Sequence, residues 1–415
     1  MRSKNHQQKR YNTLRWIVLV ITFLIMTTTR NFAQTERGQT ERGGSSPRPT
    51  MPAPVPLTWQ DDYFPEFRIR IKEADLEPLL NKPEIKGSET KYPMTLTYQG
   101  KVYEGTIRQR VPSSSSAANK KQFRLDFPKR IAFPDGYIAD RFETDHGNGF
   151  TLNEWLAWKM LNVAAQKRPN LKILRKKANV VAIYLNDKLY HVQTLVEDVN
   201  KDLLEPQLGT RKLNTYKYGC LGRTGLSPID NYCATFSPLQ LQGMMDIPSF
   251  MYATAAVQTV GGYDNYPRFP NNFYLVEETE TGRIWFMPDD MDTTICPYDT
   301  VYSDPFQIAY SVGDSQRHFT EMLKDRACIE MYYSYVQELC SLWEPEPLNA
   351  AIAKKYAQVR STLFASGGLP YDEAYYDYLY NESLPLWIDM RYQYLTKMMQ
   401  DTSVGEMAKK VASQP

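Results

Sequence analysis

The chain has 415 residues, of which 42% are hydrophobic and 13% are aromatic, and its formal net charge is +2. This is the composition of a globular protein, and the length suits a two-lobed fold or one domain with long insertions. A charge so close to balance gives no electrostatic footprint for nucleic acid, so we expect no nucleic-acid partner.

The N-terminus has the order of an export signal. Several basic residues precede an apolar run from Trp16 to Met26, which is too short for a comfortable membrane span. We predict that residues 1–33 are a signal peptide, with an uncleaved signal anchor as the alternative. Residues 34–57 hold few core-forming residues and are predicted to be a flexible linker. We therefore expect a secreted or cell-envelope protein with no membrane span after signal cleavage.

The first folded part is predicted to be a sheet. Apolar and polar residues alternate in several segments, which is the period of a half-buried strand. The predicted strands are 67–71, 94–98, 101–111 and 121–127. Before the last of them lies the loop Ser113 to Ser116. Its backbone N–H groups and hydroxyls, those of Ser113 and Ser114 included, either contact phosphate oxygens or form a flexible hairpin tip.

A helix and a strand pair follow this sheet. Apolar residues at helical spacing predict a helix from Thr151 to Gln166, and Thr151 with Glu154 forms a capping box at its start. Strands over 180–185 and 189–196 are predicted as a hairpin that leads into Glu197.

The stretch from Asp264 to Asp292 concentrates polar side chains around a predicted hairpin. Asp264 and Asn272 precede one run rich in aromatic and β-branched residues, and Asp290 and Asp292 follow a second such run. A hairpin returns the chain to its start, so the two polar loops should lie side by side. Carboxylate and amide oxygens are the ligands that Mg²⁺ and Mn²⁺ prefer.

The C-terminal half is predicted to be mainly helical. One helix is opened by Asp246 as its cap and ended by Gly261-Gly262, immediately before Asp264. Further helices are predicted around 318–343, 346–365 and 382–400.

The order of these elements is that of a protein-kinase core: strands, a helix, a strand pair, a helix, an Asp/Asn loop, a hairpin and an Asp loop. The expected fold class is α+β, a two-lobed atypical protein-kinase-like fold. Its N-terminal lobe, an antiparallel sheet with one helix, would span 58–198. Its mainly helical C-terminal lobe would span 199–400, with 401–415 as a tail.

Five cysteines lie in the predicted mature chain, and their spacing matches neither zinc pairs nor a dense disulfide framework. Cys220 and Cys233 bracket a Gly- and Pro-rich loop and are the expected pair in an oxidising envelope. Buried thiols are the alternative for all five.

These motifs resemble the CotH kinases, bacterial spore-coat-type proteins with an atypical kinase-like fold, over about residues 64–400. Asn272-Phe-Tyr-Leu and Pro288-Asp-Asp-Met-Asp292 are similar to the family's Asn-Phe-Tyr-Leu-Tyr and Pro-Trp-Asp-x-Asp. Other matching segments are the basic strand from Lys120, the hairpin from Val181 to Glu197, Asp264 before the Asn motif, and Leu386 to Arg391 on a C-terminal helix.

The resemblance implies an ATP-dependent protein kinase with Mg²⁺ or Mn²⁺ as its metal and a protein Ser or Thr as its acceptor. Asp290 would bind the metal, and Asn272 and Asp292 would complete the site. Asp264 would orient or deprotonate the acceptor hydroxyl.

A basic group must also meet the triphosphate. Strand alternation favours Lys121 and the family alignment favours Lys120, with Arg124 and Arg110 as further candidates. Glu154 would pair with this basic strand, unless capping alone explains it. Glu197 would lie near an adenine, unless it caps a loop.

Two departures from the family pattern bear on activity. Arg110-Val-Pro-Ser113 stands where the family has Arg-Gly-Asn-Ser, so a glycine that allows close approach to phosphate is lost. Asp289 stands where the family has Trp, as a third ligand or as a perturbation. The alternatives to a kinase are a catalytically silent surface or envelope binding module and a metal-dependent hydrolase.

Overall fold

A computed structural model of the protein describes residues 55–85, 87–111, 120–145, 150–218, 243–262, 264–269, 271–295, 301–306, 319 and 322–412. These residues belong to one unit that spans 54–415. The predicted signal peptide, Ser113, Ser114, Cys220 and Cys233 lie outside the described residues.

Seven strands in the N-terminal half close into a β-barrel with the order β1-β2-β3-β4-β5-β7-β6. They are β1 (Glu66–Ile71), β2 (Tyr92–Tyr98), β3 (Lys101–Arg110), β4 (Gln122–Ala132), β5 (Ile138–Asp145), β6 (Ala178–Leu185) and β7 (Lys188–Glu197). Strand β1 pairs antiparallel with β2 on one side and parallel with β6 on the other. This second pairing joins the two ends of the sheet.

The barrel overturns the predicted fold class, an α+β two-lobed kinase-like fold whose N-terminal lobe is an antiparallel sheet. In the register of β1 with β6, Phe67 lies opposite Ile183 and Ile69 lies opposite Leu185. The strand pair β6–β7, which follows the helix Thr151–Lys167, therefore does not lie at the edge of an open sheet. It closes the sheet because one of its strands accepts β1 as a parallel neighbour.

The alternation of exposed and buried residues along its strands explains the stability of the barrel. Along β1 exposed and buried residues strictly alternate, and Phe67 and Ile69 are at most 1% exposed. Leu96, Phe123 and Phe142 from other strands meet them in one apolar interior. Removing such side chains from water is the main favourable contribution to the folding of this part.

Within the residues that the structure describes, a smaller sheet and a set of helices complete the fold. The sheet has the order β10-β9-β8, with β8 (Leu213–Tyr218), β9 (Phe273–Glu278) and β10 (Arg283–Pro288). The α-helices are α1 (Glu73–Asn81), α2 (Thr151–Lys167), α3 (Lys201–Leu208), α4 (Ile247–Thr259), α5 (Arg326–Leu342), α6 (Pro345–Ser366), α7 (Glu373–Tyr378), α8 (Leu384–Asp401) and α9 (Val404–Ala412). A π-helical turn over Leu379–Ser383 joins α7 to α8.

Some predictions of individual hairpins and helix caps are confirmed, although the predicted fold class is wrong. The predicted hairpin after Asp264 is β9–β10, paired antiparallel from Phe273–Pro288 to Glu278–Arg283. Asp246 caps α4 as predicted, because its carboxylate accepts from Ser249 N at 3.0 Å. The capping box at α2 is wrong: Phe150 is the N-cap residue, with no side-chain cap hydrogen bond, and Thr151 is already the first helical residue.

Among the residues that the structure covers, no helix has both the length and the apolar character needed to cross a membrane.

Candidate active site

Polar and charged residues from the barrel, α2 and the β9–β10 hairpin meet at one small cavity. Its lining residues are Arg110, Glu143, Asp145, Glu154, Lys176, Val196, Asp289 and Asp290. The barrel supplies its part through the ends of β3 and β5, and the hairpin supplies the loop that follows β10. The site therefore depends on segments that are up to 180 positions apart in sequence, as in the contact between Arg110 and Asp290.

Asp264 is held by two amides of the loop that leads into β9. Asn271 Nδ2 donates to Asp264 Oδ2 at 3.0 Å, and Asn272 Nδ2 donates to the backbone oxygen of Asp264 at 3.0 Å and to Oδ2 at 3.3 Å. Burial, with a smaller contribution from the Asp290 charge, raises the pKa of Asp264 above its ordinary value despite these two hydrogen bonds. A carboxylate with a raised pKa and a fixed orientation suits a proton acceptor.

The loop after β10 is tied directly to the Asp264 loop. Asn265 Nδ2 donates to the backbone oxygens of Asp289 at 2.8 Å and of Asp290 at 3.3 Å. Asp289 N donates to Asn272 O at 2.8 Å. Asn272 and Asp290 both have left-handed backbone, at φ 54° and φ 49°, which Asn and Asp tolerate better than most residues. The hairpin thus brings Asp264, Asn272 and Asp290 into one place, as the sequence predicts.

Asp289 is bound by two lysines. Lys176, just before β6, and Lys217, on β8, each donate to one of its oxygens, Lys217 at 2.7 Å. Burial opposes the charge on Asp289, but the two ammonium groups outweigh it and hold its pKa well below the ordinary value. These contacts account for Asp289 as an anchor of its loop.

Arg110, the last residue of β3, reaches across from the barrel. Its Nη1 donates to Asp145, and its Nη2 lies 3.4 Å from Asp290 Oδ1. Gln122 supports Asp145 from β4 through Nε2, at 2.7 Å from Asp145 Oδ1. One guanidinium therefore links the end of β5 to the loop after β10.

The site carries more negative than positive charge. Burial, then the charges of Asp145 and Asp290, raises the pKa of Glu154 to about 8. Burial and the charge of Asp290 likewise hold the pKa of Asp292 well above its ordinary value. Crowded carboxylates of this kind disfavour one another's ionisation.

The other predicted phosphate-binding residues lie elsewhere or are engaged. The ammonium group of Lys120 lies 4.8 Å from the centroid of the Tyr190 ring, and its side chain lies against Gly368. Lys121 N donates to Tyr190 Oη at 2.5 Å. Within the described part of the chain, the lining of the cavity includes Arg110 and Lys176 and neither of these lysines.

Arg124 and Glu197 have partners within the barrel. Arg124 pairs with Glu143 and lies 3.3 Å from Asp198. Glu197 accepts from Tyr137 Oη at 2.7 Å and from Lys177 N at 2.6 Å. These contacts are those expected if Glu197 caps a loop, which is the alternative to a position near an adenine. Glu154 does not meet the Lys120 strand and instead accepts from Trp158 Nε1 at 3.2 Å, one turn further along α2.

A divalent cation fits the donor chemistry of the site. Asp290, Asp292 and the Asn272 amide oxygen are hard oxygen donors, and the Asn272 amide nitrogen is already used by Asp264. One carboxylate oxygen of Glu154, Oε2, is buried in the same cavity and has no hydrogen-bond partner. Among the residues with described coordinates, however, no three His, Cys, Asp or Glu side chains are spaced to hold a metal as they stand.

Several site residues were missed from the sequence. Asp145 ends β5, a strand that was not predicted, and apolar and polar residues do not alternate along its sequence. Lys176 and Lys217 precede or lie within strands and carry no motif. Strand alternation therefore gives no signal for β5, and only the closed barrel brings Asp145 to the hairpin.

No protein-family model and no curated protein matches the sequence. Among chains of solved structure, the Helicobacter pylori proinflammatory kinase CtkA matches with 9% sequence identity and a TM-score of 0.33. The match covers 81% of this chain and 96% of that chain. A likeness at this level makes that kinase a distant structural neighbour and does not establish membership of the CotH family.

Proposed function

We propose that the protein is a secreted or envelope phosphotransferase that moves the γ-phosphoryl group of ATP to a Ser or Thr hydroxyl of another protein. The observation that carries the proposal is the joint placement of Asp264 and Asp290. Asn271 and Asn272 bind Asp264, and Asn265 ties the Asp264 loop to the loop of Asp290. The Arg110 guanidinium lies 3.4 Å from Asp290 on the side of the barrel. This is a proton acceptor beside a cation-binding carboxylate, with a cation of the protein opposite.

In this proposal Asp264 orients and deprotonates the acceptor hydroxyl. Its carboxylate is fixed by Asn271 and Asn272, so it can hold the acceptor hydroxyl in line with the phosphoryl group. As the acceptor oxygen bonds to the γ-phosphorus, the bond from that phosphorus to the bridging oxygen breaks and ADP leaves with the electron pair. The hydroxyl proton passes to Asp264.

Asp290, Asp292 and Asn272 would hold the divalent cation, which when bound neutralises charge on the phosphates. The Lys217 side chain is 44% exposed, and its ammonium group is bound to Asp289 beside Asp290. This ammonium group can contact a phosphate oxygen while it remains bound to Asp289. Arg110 has a planar set of donors suited to the same oxygens.

The test uses the full-length protein with ATP and either Mg²⁺ or Mn²⁺. Bound nucleotide at many times its dissociation constant should raise the stability of the fold by roughly 2 to 4 kcal/mol in a thermal-shift measurement. Incubation with labelled ATP and cell-envelope extract, followed by mass spectrometry, should reveal phosphorylated Ser or Thr. Asp290→Asn should abolish both signals, whereas Asp187→Asn, which changes an exposed carboxylate of a barrel turn, should preserve them.

A catalytically silent binding module is the second candidate. It is favoured by the internal pairing of Lys176 with Asp289 and of Arg110 with Asp145, which leaves these cations already neutralised. Absence of any thermal shift with both metals would select this candidate. Phosphate release without a phosphorylated protein would instead select a hydrolase.

A further inference from the structure

The position of Arg110 among carboxylates is unusual for a residue expected to meet phosphate. Its guanidinium contacts Asp145, lies 3.4 Å from Asp290 Oδ1, and lies 3.8 Å from Glu143 Oε2 through Nε. The Asp145 and Glu143 side chains are only 5% and 9% exposed. Arg110 thus supplies the positive charge that these buried carboxylates need.

Glu154 gives an independent sign that the same cavity takes a ligand. Its side chain lines the cavity and is 3% exposed, yet Oε2 has no hydrogen-bond partner while Oε1 accepts from Trp158. A buried carboxylate oxygen without a hydrogen-bond partner is costly, and a bound ion is one arrangement that satisfies it.

The balance of charge favours a cation as that ligand. Asp145, Glu154 and Asp290 line the cavity with Arg110, while the other lining cation, Lys176, is bound to Asp289. Glu143 also lines the cavity but is paired with Arg124. The Arg110 guanidinium therefore remains as the counter-charge for the carboxyl groups of Asp145, Glu154 and Asp290. A divalent ion carries one more charge and binds carboxylate oxygens more compactly than a planar guanidinium does.

We propose that Asp145, Glu154 and Asp290 form a divalent-cation site in which Arg110 is the resident counter-ion, displaced when the cation binds. The inference rests on the proposed function only for the role of Asp290, and it extends the site to the barrel and α2. Arg110 contacts Asp145 and lies 3.4 Å from Asp290, so in this proposal its displacement is needed before these carboxylates can form a metal-ligand set, which the described residues do not present as they stand. The freed guanidinium is then available to phosphate oxygens, so the site couples cation binding to polyphosphate binding.

The test measures the affinity of the full-length protein for Mn²⁺ alone, by electron paramagnetic resonance of the free ion. Arg110→Gln removes the competing charge and should bind Mn²⁺ about tenfold more tightly than the natural protein. Glu154→Gln removes a ligand oxygen's charge and should bind it about tenfold more weakly. Arg141→Gln is the matched control, because Arg141 also joins two carboxylates, Asp126 and Asp198, and should leave the affinity unchanged.

Unchanged or weaker Mn²⁺ binding by Arg110→Gln would overturn displacement, and unchanged binding by Glu154→Gln would remove Glu154 from the site. A circular-dichroism melt of each variant identifies loss of folding, and Arg110→Lys provides a second variant. A single ammonium group cannot bridge Asp145 and Asp290, so the affinity of Arg110→Lys for Mn²⁺ should fall between those of the natural protein and Arg110→Gln. An affinity of Arg110→Lys no tighter than that of the natural protein would count against displacement. These outcomes are independent of phosphoryl transfer, whose failure would reject the proposed function alone.

Discussion

The ammonium group of Lys176 and the carboxylate of Asp289 form an ion pair in which both side chains are almost fully buried, at 4% and 3% exposure. Lys217 completes the arrangement at 2.7 Å from the second carboxylate oxygen. The pair joins the segment before β6 to the loop after β10. It thereby fixes the position of Asp290, the next residue, relative to the barrel.

Asp289→Asn should strongly destabilise the fold. The substitution leaves Lys176 buried without its counter-ion, and breaking a buried pair in this way costs about 3 to 5 kcal/mol. Urea unfolding measures the loss. Glu330→Gln is the control, since its partner Arg326 is 91% exposed and such surface pairs contribute at most about 1 kcal/mol. Equal costs for the two variants would contradict a stabilising role for the buried pair.

Gly262→Ala should displace the Asp264 loop. A Cβ added at Gly262 would lie 2.6 Å from Val257 Cγ1 and 2.9 Å from the Val257 backbone oxygen, so the chain must shift. We expect a loss of about 1 to 3 kcal/mol in unfolding free energy and a smaller MnATP-dependent thermal shift. Gly243→Ala meets no atom within 4 Å and serves as control. Full nucleotide response in Gly262→Ala would show that the loop tolerates the shift.

The substitution Arg391→Lys should destabilise the fold, because it does not preserve the hydrogen bonds of the guanidinium. The guanidinium donates to Gln258 O and Thr259 O at the end of α4 and to Val301 O and Ser303 O. A lysine ammonium cannot serve both segments at once, so we expect a loss of about 2 to 4 kcal/mol on chemical denaturation. Arg70→Lys, at a side chain 69% exposed, should change stability by less than about 0.5 kcal/mol. A similarly small effect of Arg391→Lys on stability would contradict a stabilising role for the four hydrogen bonds of Arg391.

Lys355 should make stability depend on pH above neutrality. Burial lowers the pKa of Lys355 to about 8 from the ordinary 10.5, although Asp61 and Asp62 oppose the shift. Between these pH values the folded state binds fewer protons than the unfolded state, so stability should rise with pH from about 8 to 10.5.

Lys355→Met removes this dependence. The difference in melting temperature between the natural protein and Lys355→Met should therefore move in favour of the natural protein as pH rises from 8 to 10.5. Lys397→Met, at an exposed lysine of α8, should track the natural protein at every pH. A pH-independent difference for Lys355→Met would mean that the buried lysine does not titrate in this range.

Asp264→Asn should lower the rate of phosphoryl transfer by about 10² to 10⁴, because a proton acceptor is lost while its hydrogen-bonded position remains. The MnATP-dependent thermal shift should persist, since Asp264 works on the acceptor. Loss of the thermal shift together with the rate would place Asp264 in nucleotide or cation binding instead.

Much of the local structure followed from the sequence. The β9–β10 hairpin was predicted because aromatic and β-branched runs flank a turn, and this alone places the Asp264 loop beside Asp290. The cap of α4 at Asp246 was predicted from residue type and an early proline, which act within a few residues of each other. Such features depend on short-range geometry, which one sequence expresses directly.

The sequence by itself determined most of the strands, with β5 and β8 as exceptions, the principal helices and the pairing of two polar loops. Each of these features depends on residues that are close together in sequence. Tertiary structure alone decided that β1 and β6 close a barrel and that Arg110, Asp145 and Lys176 reach the hairpin. Apolar alternation fits an open sheet and a closed one equally well. Which strand ends meet is set by the pairing of residues more than 100 positions apart, and no local pattern encodes that choice.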